Sequence, residues 1–173
     1  QHRSLCRGQL VTLLEQLYPL LKGELFLRYQ VCDMSDLADR YLEEFAALKL
    51  ISDESECFNI DSQRRGRLLL LSQVAQESLH RYAIVAALLA KRPHLERAEL
   101  EQQALAGAQR LAQLHNIDAP EYYDKRITTN LLSLMREQGL NDSQSAEGLF
   151  KQLSPLLADG VYQSISELLD LEA

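Results

Sequence analysis

Leucine and alanine recur every three or four residues along most of this chain, and that spacing constrains its fold more than any other feature. Leu10, Leu13, Leu14, Leu17 and Leu21 mark one face of a first helix. Leu37, Tyr41, Phe45 and Leu48, with Ala38, Leu42 and Ala46 beside them, mark a second. Leu100, Ala104, Ala108, Leu111 and Leu114 point inward from a helix spanning about Arg97 to His115. Ile127, Leu131, Leu134 and Met135 do the same in the next. Seven Gly and four Pro in 173 residues leave few places for turns, so the elements must be long. Aromatics make up 6% of the chain and Trp is absent, so the core must come from Leu, Ala and Ile, which suits packed helices. The expected class is all-α.

One interruption is expected. Leu50 and Ile51, an acidic turn from Ser52 to Glu56, and the run Cys57 to Ile60 read as a short β-hairpin near residues 50–60. Asp33 or Ser35 can cap the helix before it, and Asp61 or Ser62 the helix after it. That third helix runs to about Lys91, where Pro93 stops it. Its apolar run Ala83 to Ala90 falls far short of the ~20 residues that span a bilayer, so burial on all sides is expected. Pro19 should kink the first helix, and Glu24 to Tyr29 either continues it or begins an extended stretch. The fifth helix opens at Glu121 and stops at Gly139. Ala146 to Ala158, containing Pro155, and Val161 to Leu171 complete the chain. The ends of the second and fifth helices, Phe45 to Asp53 and Leu134 to Asp142, echo one another. Two lobes, 1–92 and 93–173, are one possible organisation.

A net charge of −7 and 46% hydrophobic content describe a soluble, folded chain that repels phosphate unless a local basic patch overrides it. A winged-helix reading of Asp33 to Ile60 founders on this. Its reading helix would carry Asp33, Asp36, Asp39, Glu43 and Glu44 against Arg40 and Lys49. Cys6, Cys32 and Cys57 are odd in number and form no CxxC, which points to free thiols in a reducing compartment. The abrupt opening Gln1-His2-Arg3, without a signal peptide, suggests a piece of something longer.

The residues carry little chemistry. No HExxH, His pair or Cys–His cluster converges on a metal, and no Gly-rich phosphate loop or nucleophile elbow occurs, so neither metal nor cofactor is expected. His115 and Asp118 form an HxxD, but a histidine ending a helix more often serves the last carbonyls. His80 is expected as a satisfied or surface side chain. One basic cluster stands out: Arg64, Arg65 and Arg67 at the start of the third helix, where cations oppose the dipole. They are candidates for holding a phosphate, a lipid headgroup or an acidic carrier protein. A solvated turn paired with Glu54, Glu56 or Asp61 is the plainer alternative.

The run Leu17 to Arg28, LYPLLKGELFLR, resembles the "LYP-x-LK-x-ELFLR" segment of the membrane-associated bacterial glycerol-3-phosphate acyltransferases. Glu77 to Ile84, ESLHRYAI, is similar to that family's "ETLxRYAI". Ala108 to Leu111 with Leu114 to Lys125, AQRL and LHNIDAPEYYDK, is similar to its "AQRLxxLHxIxAPEFFDK". The segments stand in family order and belong to its C-terminal portion. The likeness is loose over Ser52 to Arg67, and Pro155 interrupts a stretch the family keeps helical.

This resemblance implies a parent enzyme that moves a long acyl chain from acyl-CoA or acyl carrier protein to the sn-1 hydroxyl of glycerol 3-phosphate, the first step of phospholipid synthesis. It also implies a location at the cytoplasmic face of the inner membrane. The family's HxxxxD motif pairs a histidine base with an orienting aspartate. Here the residues five after His2, His80, His94 and His115 are Arg7, Val85, Glu99 and Pro120, and no FPEGTR-type segment occurs. The expectation is a C-terminal helical domain, non-catalytic by itself, whose partner is the catalytic domain of its own chain. The competing expectation is a stand-alone helical module that docks a protein or lipid through Arg64, Arg65 and Arg67.

Overall fold

The computed structural model describes residues 5–25, 27–54, 57–60, 63 and 65–171. They form a mainly helical chain in two compact units, Gln1–Val74 and Ala75–Ala173, and the division falls within a helix rather than at residues 92/93.

The first unit begins with strand β1 (Leu5–Cys6) and helix α1 (Arg7–Leu25), which keeps Pro19 inside it. A 3-10 turn, Val31–Asp33, leads into α2 (Met34–Ala47). Asp33 caps this turn rather than α2: its carboxylate accepts from the Gln30 N–H at 2.8 Å. Tyr18, Met34 and Leu37 form the core, with Leu14, Leu27 and Tyr29 against it. The Tyr18 hydroxyl donates to the Tyr29 carbonyl at 3.1 Å, holding the irregular stretch after α1. Arg7 forks onto the Asp39 carboxylate and donates to Ser35 Oγ, tying the start of α1 to α2.

The hairpin lies where the sequence places it, as β2 (Ile51–Glu54) and β3 (Cys57–Ile60). The short β1 adds to its other side, giving an antiparallel sheet in the order β1-β3-β2. This corrects the expectation of three free thiols. The register sets Cys6 opposite Cys57, their Cα atoms 4.0 Å apart, and the two form a disulfide across 51 residues. Only Cys32 is free, and it is exposed.

Helix α3 (Arg65–Lys91) runs through the boundary. In the second unit it is followed by α4 (Arg97–His115), a 3-10 turn at Pro120–Tyr123, α5 (Lys125–Glu137), α6 (Ser143–Leu153), a 3-10 turn at Ser154–Leu156 and α7 (Asp159–Leu171). Every residue from Ser78 to Leu89 is buried, so the apolar part of α3 is enclosed by its neighbours. Leu100, Ala104, Ala108 and Leu111 of α4 meet this core, as do Leu131 and Met135 of α5, Leu153 of α6 and Ile165 of α7. A Cβ on Gly107 would stand 3.3 Å from Ile84 Cγ2, so the missing side chain lets α4 approach α3 closely. Ser143 at the start of α6 donates to the Ala90 carbonyl at 2.9 Å.

The helix ends share one device. After α2, α4 and α5 the chain turns through a left-handed residue: Lys49, Asn116 and Gly139. The residue after each donates back to a carbonyl five positions earlier: Leu50 to Phe45, Ile117 to Ala112 and Leu140 to Met135. This is the Schellman closure. It gives a physical basis for the likeness between Phe45–Asp53 and Leu134–Asp142. Asp124 and Asp142 cap α5 and α6, each carboxylate accepting two backbone N–H groups. Helix α6 ends before Pro155 instead of reaching Ala158, because the ring cannot continue the hydrogen-bond ladder.

Two expected stripes are only partly buried. Leu37 and Ala38 are enclosed, but Tyr41 is 41% and Leu48 66% exposed, and on α4 Leu114 is 57% exposed. Spacing defines a face, and burial stops where no neighbour covers it.

Candidate functional site

Among the described residues the buried polar side chains are Thr128 on α5 and three on α3 in the second unit. Ser78, His80 and Arg81 are all buried, together with Tyr122 from the turn before α5. The His80 and Tyr122 rings meet edge to face with centroids 6.0 Å apart. The Arg81 guanidinium lies over the Tyr122 ring at 5.8 Å, a cation–π placement. Arg81 also donates to Ser78 Oγ at 3.4 Å and reaches the Glu77 carboxylate at 3.9 Å, one turn back on the same helix. His115, which closes α4, lies with Nε2 2.9 Å from Ser164 Oγ of α7.

Burial decides the protonation of this cluster. It pushes the His80 imidazole down to about 4, and the nearby His115 and Arg81 act in the same direction. It pushes the Tyr122 phenol up, with Glu77 adding to the shift and Arg81 opposing it. At neutral pH the cluster therefore holds a neutral imidazole, a neutral phenol and one guanidinium. Neither His80 Nδ1 nor the Tyr122 hydroxyl has a hydrogen-bond partner among the described residues. This corrects the reading of His80 as a satisfied or surface side chain: it is enclosed, and one nitrogen lacks a partner.

That arrangement makes a prediction. Tyr122→Phe keeps both ring contacts and removes a buried hydroxyl that pairs with nothing, so stability should hold or rise by up to about 1 kcal/mol. Urea unfolding of the variant checks this. A loss of that size would mean that the hydroxyl is bonded.

The other sequence candidates do not converge. Arg65 and Arg67 are exposed on the first turns of α3 and make no ion pair among the described residues. Arg64, and the Glu56 and Asp61 proposed to pair with it, lie outside the described residues. His94 and Asp118 are exposed, and His115 bonds to Ser164 rather than to Asp118. No group of three or more His, Cys, Asp or Glu side chains that could hold a metal occurs among the described residues.

Two recesses lie in the second unit. One, of about 30 Å³ and bordered by Ile84, Leu88, Gly107 and Ile165, has room for only a few waters. The other is an open recess of about 560 Å³ between Gln109 and Tyr123, whose one charged wall is Asp118. It offers no cation to a phosphate. Among the described residues no helix is long and apolar enough to cross a membrane.

Helical packing, capped ends and a buried polar cluster define a mainly helical domain. A family model described as the glycerol-3-phosphate acyltransferase C-terminal region matches residues 1–144, and the chain belongs to that family. No solved structure matches it.

Proposed function

We propose that this chain is the non-catalytic helical part of an enzyme that acylates the sn-1 hydroxyl of glycerol 3-phosphate from acyl-CoA or acyl carrier protein. In this reading it packs on the acyltransferase domain of its own polypeptide and holds that domain in shape at the cytoplasmic face of the inner membrane. The chemistry needs a base that takes the hydroxyl proton as the oxygen attacks the thioester, and a carboxylate that orients the base.

The observation that carries the proposal is the match of residues 1–144 to the C-terminal region of this enzyme family, in a chain where no histidine is followed five residues later by aspartate. The geometry of His80 supports it. The imidazole is enclosed, and Glu77, the carboxylate one turn away, faces Arg81.

The test expresses the acyltransferase part of the parent enzyme and this chain as separate polypeptides. The two should co-purify, and full turnover should require both. An acyltransferase part that ignores this chain and turns over fully without it would defeat the proposal.

A further inference from the structure

The first turns of α3 carry a feature that the acyl-transfer reading does not use. Leu69, Leu70 and Leu71 are 53%, 66% and 60% exposed. At about 100° per residue, three consecutive positions sweep an arc of roughly 200°, so apolar surface faces solvent around more than half of one helical turn. Single exposed leucines are ordinary, but three together on one turn mark a contact surface.

The charges beside them indicate what the surface meets. Arg65 and Arg67 are exposed one turn earlier and make no ion pair among the described residues. From Gln63 to Gln76 the sequence contains no acidic residue, in a chain whose net charge is −7. The positive end of the α3 dipole lies at the same place. Cations at a helix start oppose that dipole, and an anion arriving from outside relieves both. The complementary surface is therefore negative at its outside and hydrocarbon beneath. Its two layers are separated by about the 5–10 Å that an interfacial helix penetrates. Long arginine stems can keep their charge among headgroups while neighbouring leucines go deeper.

We propose that Arg65, Arg67, Leu69, Leu70 and Leu71 form a docking surface for an anionic phospholipid bilayer, with the leucines inserted to the level of the upper acyl chains. The contact is with one leaflet. It stands independently of the acyl-transfer reading, because it rests on exposure and charge alone.

The absence of Trp supplies a clean reporter. Leu70→Trp in the full chain places a single indole at the centre of the surface. Its emission should shift to the blue on addition of phosphatidylcholine vesicles containing phosphatidylglycerol, and less with phosphatidylcholine alone. Co-sedimentation of the unsubstituted chain should show the same preference and weaken with salt. Replacing Leu69, Leu70 and Leu71 together by Ser should weaken binding at least about tenfold. Arg65→Gln with Arg67→Gln should weaken it by roughly tenfold or more, on the anionic vesicles only. Both variants should keep the helical circular dichroism of the parent. The proposal fails if the indole emission does not move, or if the chain ignores anionic vesicles. It also fails if the serine variant binds as before, or if the leucines prove to be covered by a second copy of the chain or by another protein.

Discussion

A carboxylate placed at Ala86 is expected to destabilise the second unit by about 3–5 kcal/mol, the usual cost of leaving a charge buried without a partner. Ala86 is fully enclosed on α3, between Val85 and Ala87, which are also buried. An Asp there either keeps its charge away from water or takes up a proton at a cost that grows with pH. Domains of this size have about 5–15 kcal/mol in all, so the loss brings the unit close to unfolding. Ala98→Asp is the control. It lies exposed in the first turn of α4, where a negative charge suits the dipole, and should be near neutral. Urea unfolding followed by circular dichroism compares the two. Equal midpoints would mean that α3 is not enclosed as described.

The second large effect is a dependence on pH set by His80. In the folded unit burial holds this imidazole at about 4, against 6.5 for a free one. The unfolded chain therefore takes up a proton as pH falls through 6.5, while the folded chain resists until about 4. The contribution is full above pH 6.5 and is lost progressively down to about 4, amounting to about 3 kcal/mol. Arg81, Tyr122 and His115 lie near the group, and carboxylates elsewhere titrate in the same range, so the variant difference is the informative quantity. His80→Gln should lose less stability than the parent between pH 6.5 and 4. Parallel curves would show that His80 does not resist protonation.

The periodic helices were legible in the sequence because their signals are local. Apolar spacing marks α4 from Arg97 to His115, Gly139 stops α5 and Pro93 lies just beyond α3, but α5 opens at Lys125 behind the Asp124 cap rather than at Glu121, which lies in the 3-10 turn before it. The hairpin was legible for the same reason. What the sequence did not reveal depends on contacts between distant residues. The pairing of β1 with β3, and with it the Cys6–Cys57 disulfide, joins positions 51 residues apart through a strand of two residues. Periodicity marked Tyr41 and Leu48 as a core face, yet it carries no information on whether anything covers that face.

The candidate site was less legible. Arg65 and Arg67 were visible as a basic cluster, but the exposure of Leu69 to Leu71 beside them is a property of the fold. A run of leucines in a long helix looks like core until its surroundings are known. His80 and Arg81 are polar letters beside an apolar run, and in sequence nothing distinguishes a buried pair from a surface one. Family resemblance, by contrast, was carried by ordered segments that the match to residues 1–144 bears out.

The most direct test of the account is turnover by the purified chain supplied with glycerol 3-phosphate and a long-chain acyl-CoA. Release of free CoA and formation of 1-acylglycerol 3-phosphate should stay at the level of the protein-free control at every pH tried. Saturable product formation that His80→Gln abolishes would contradict it, because a base would then be at work inside these helices.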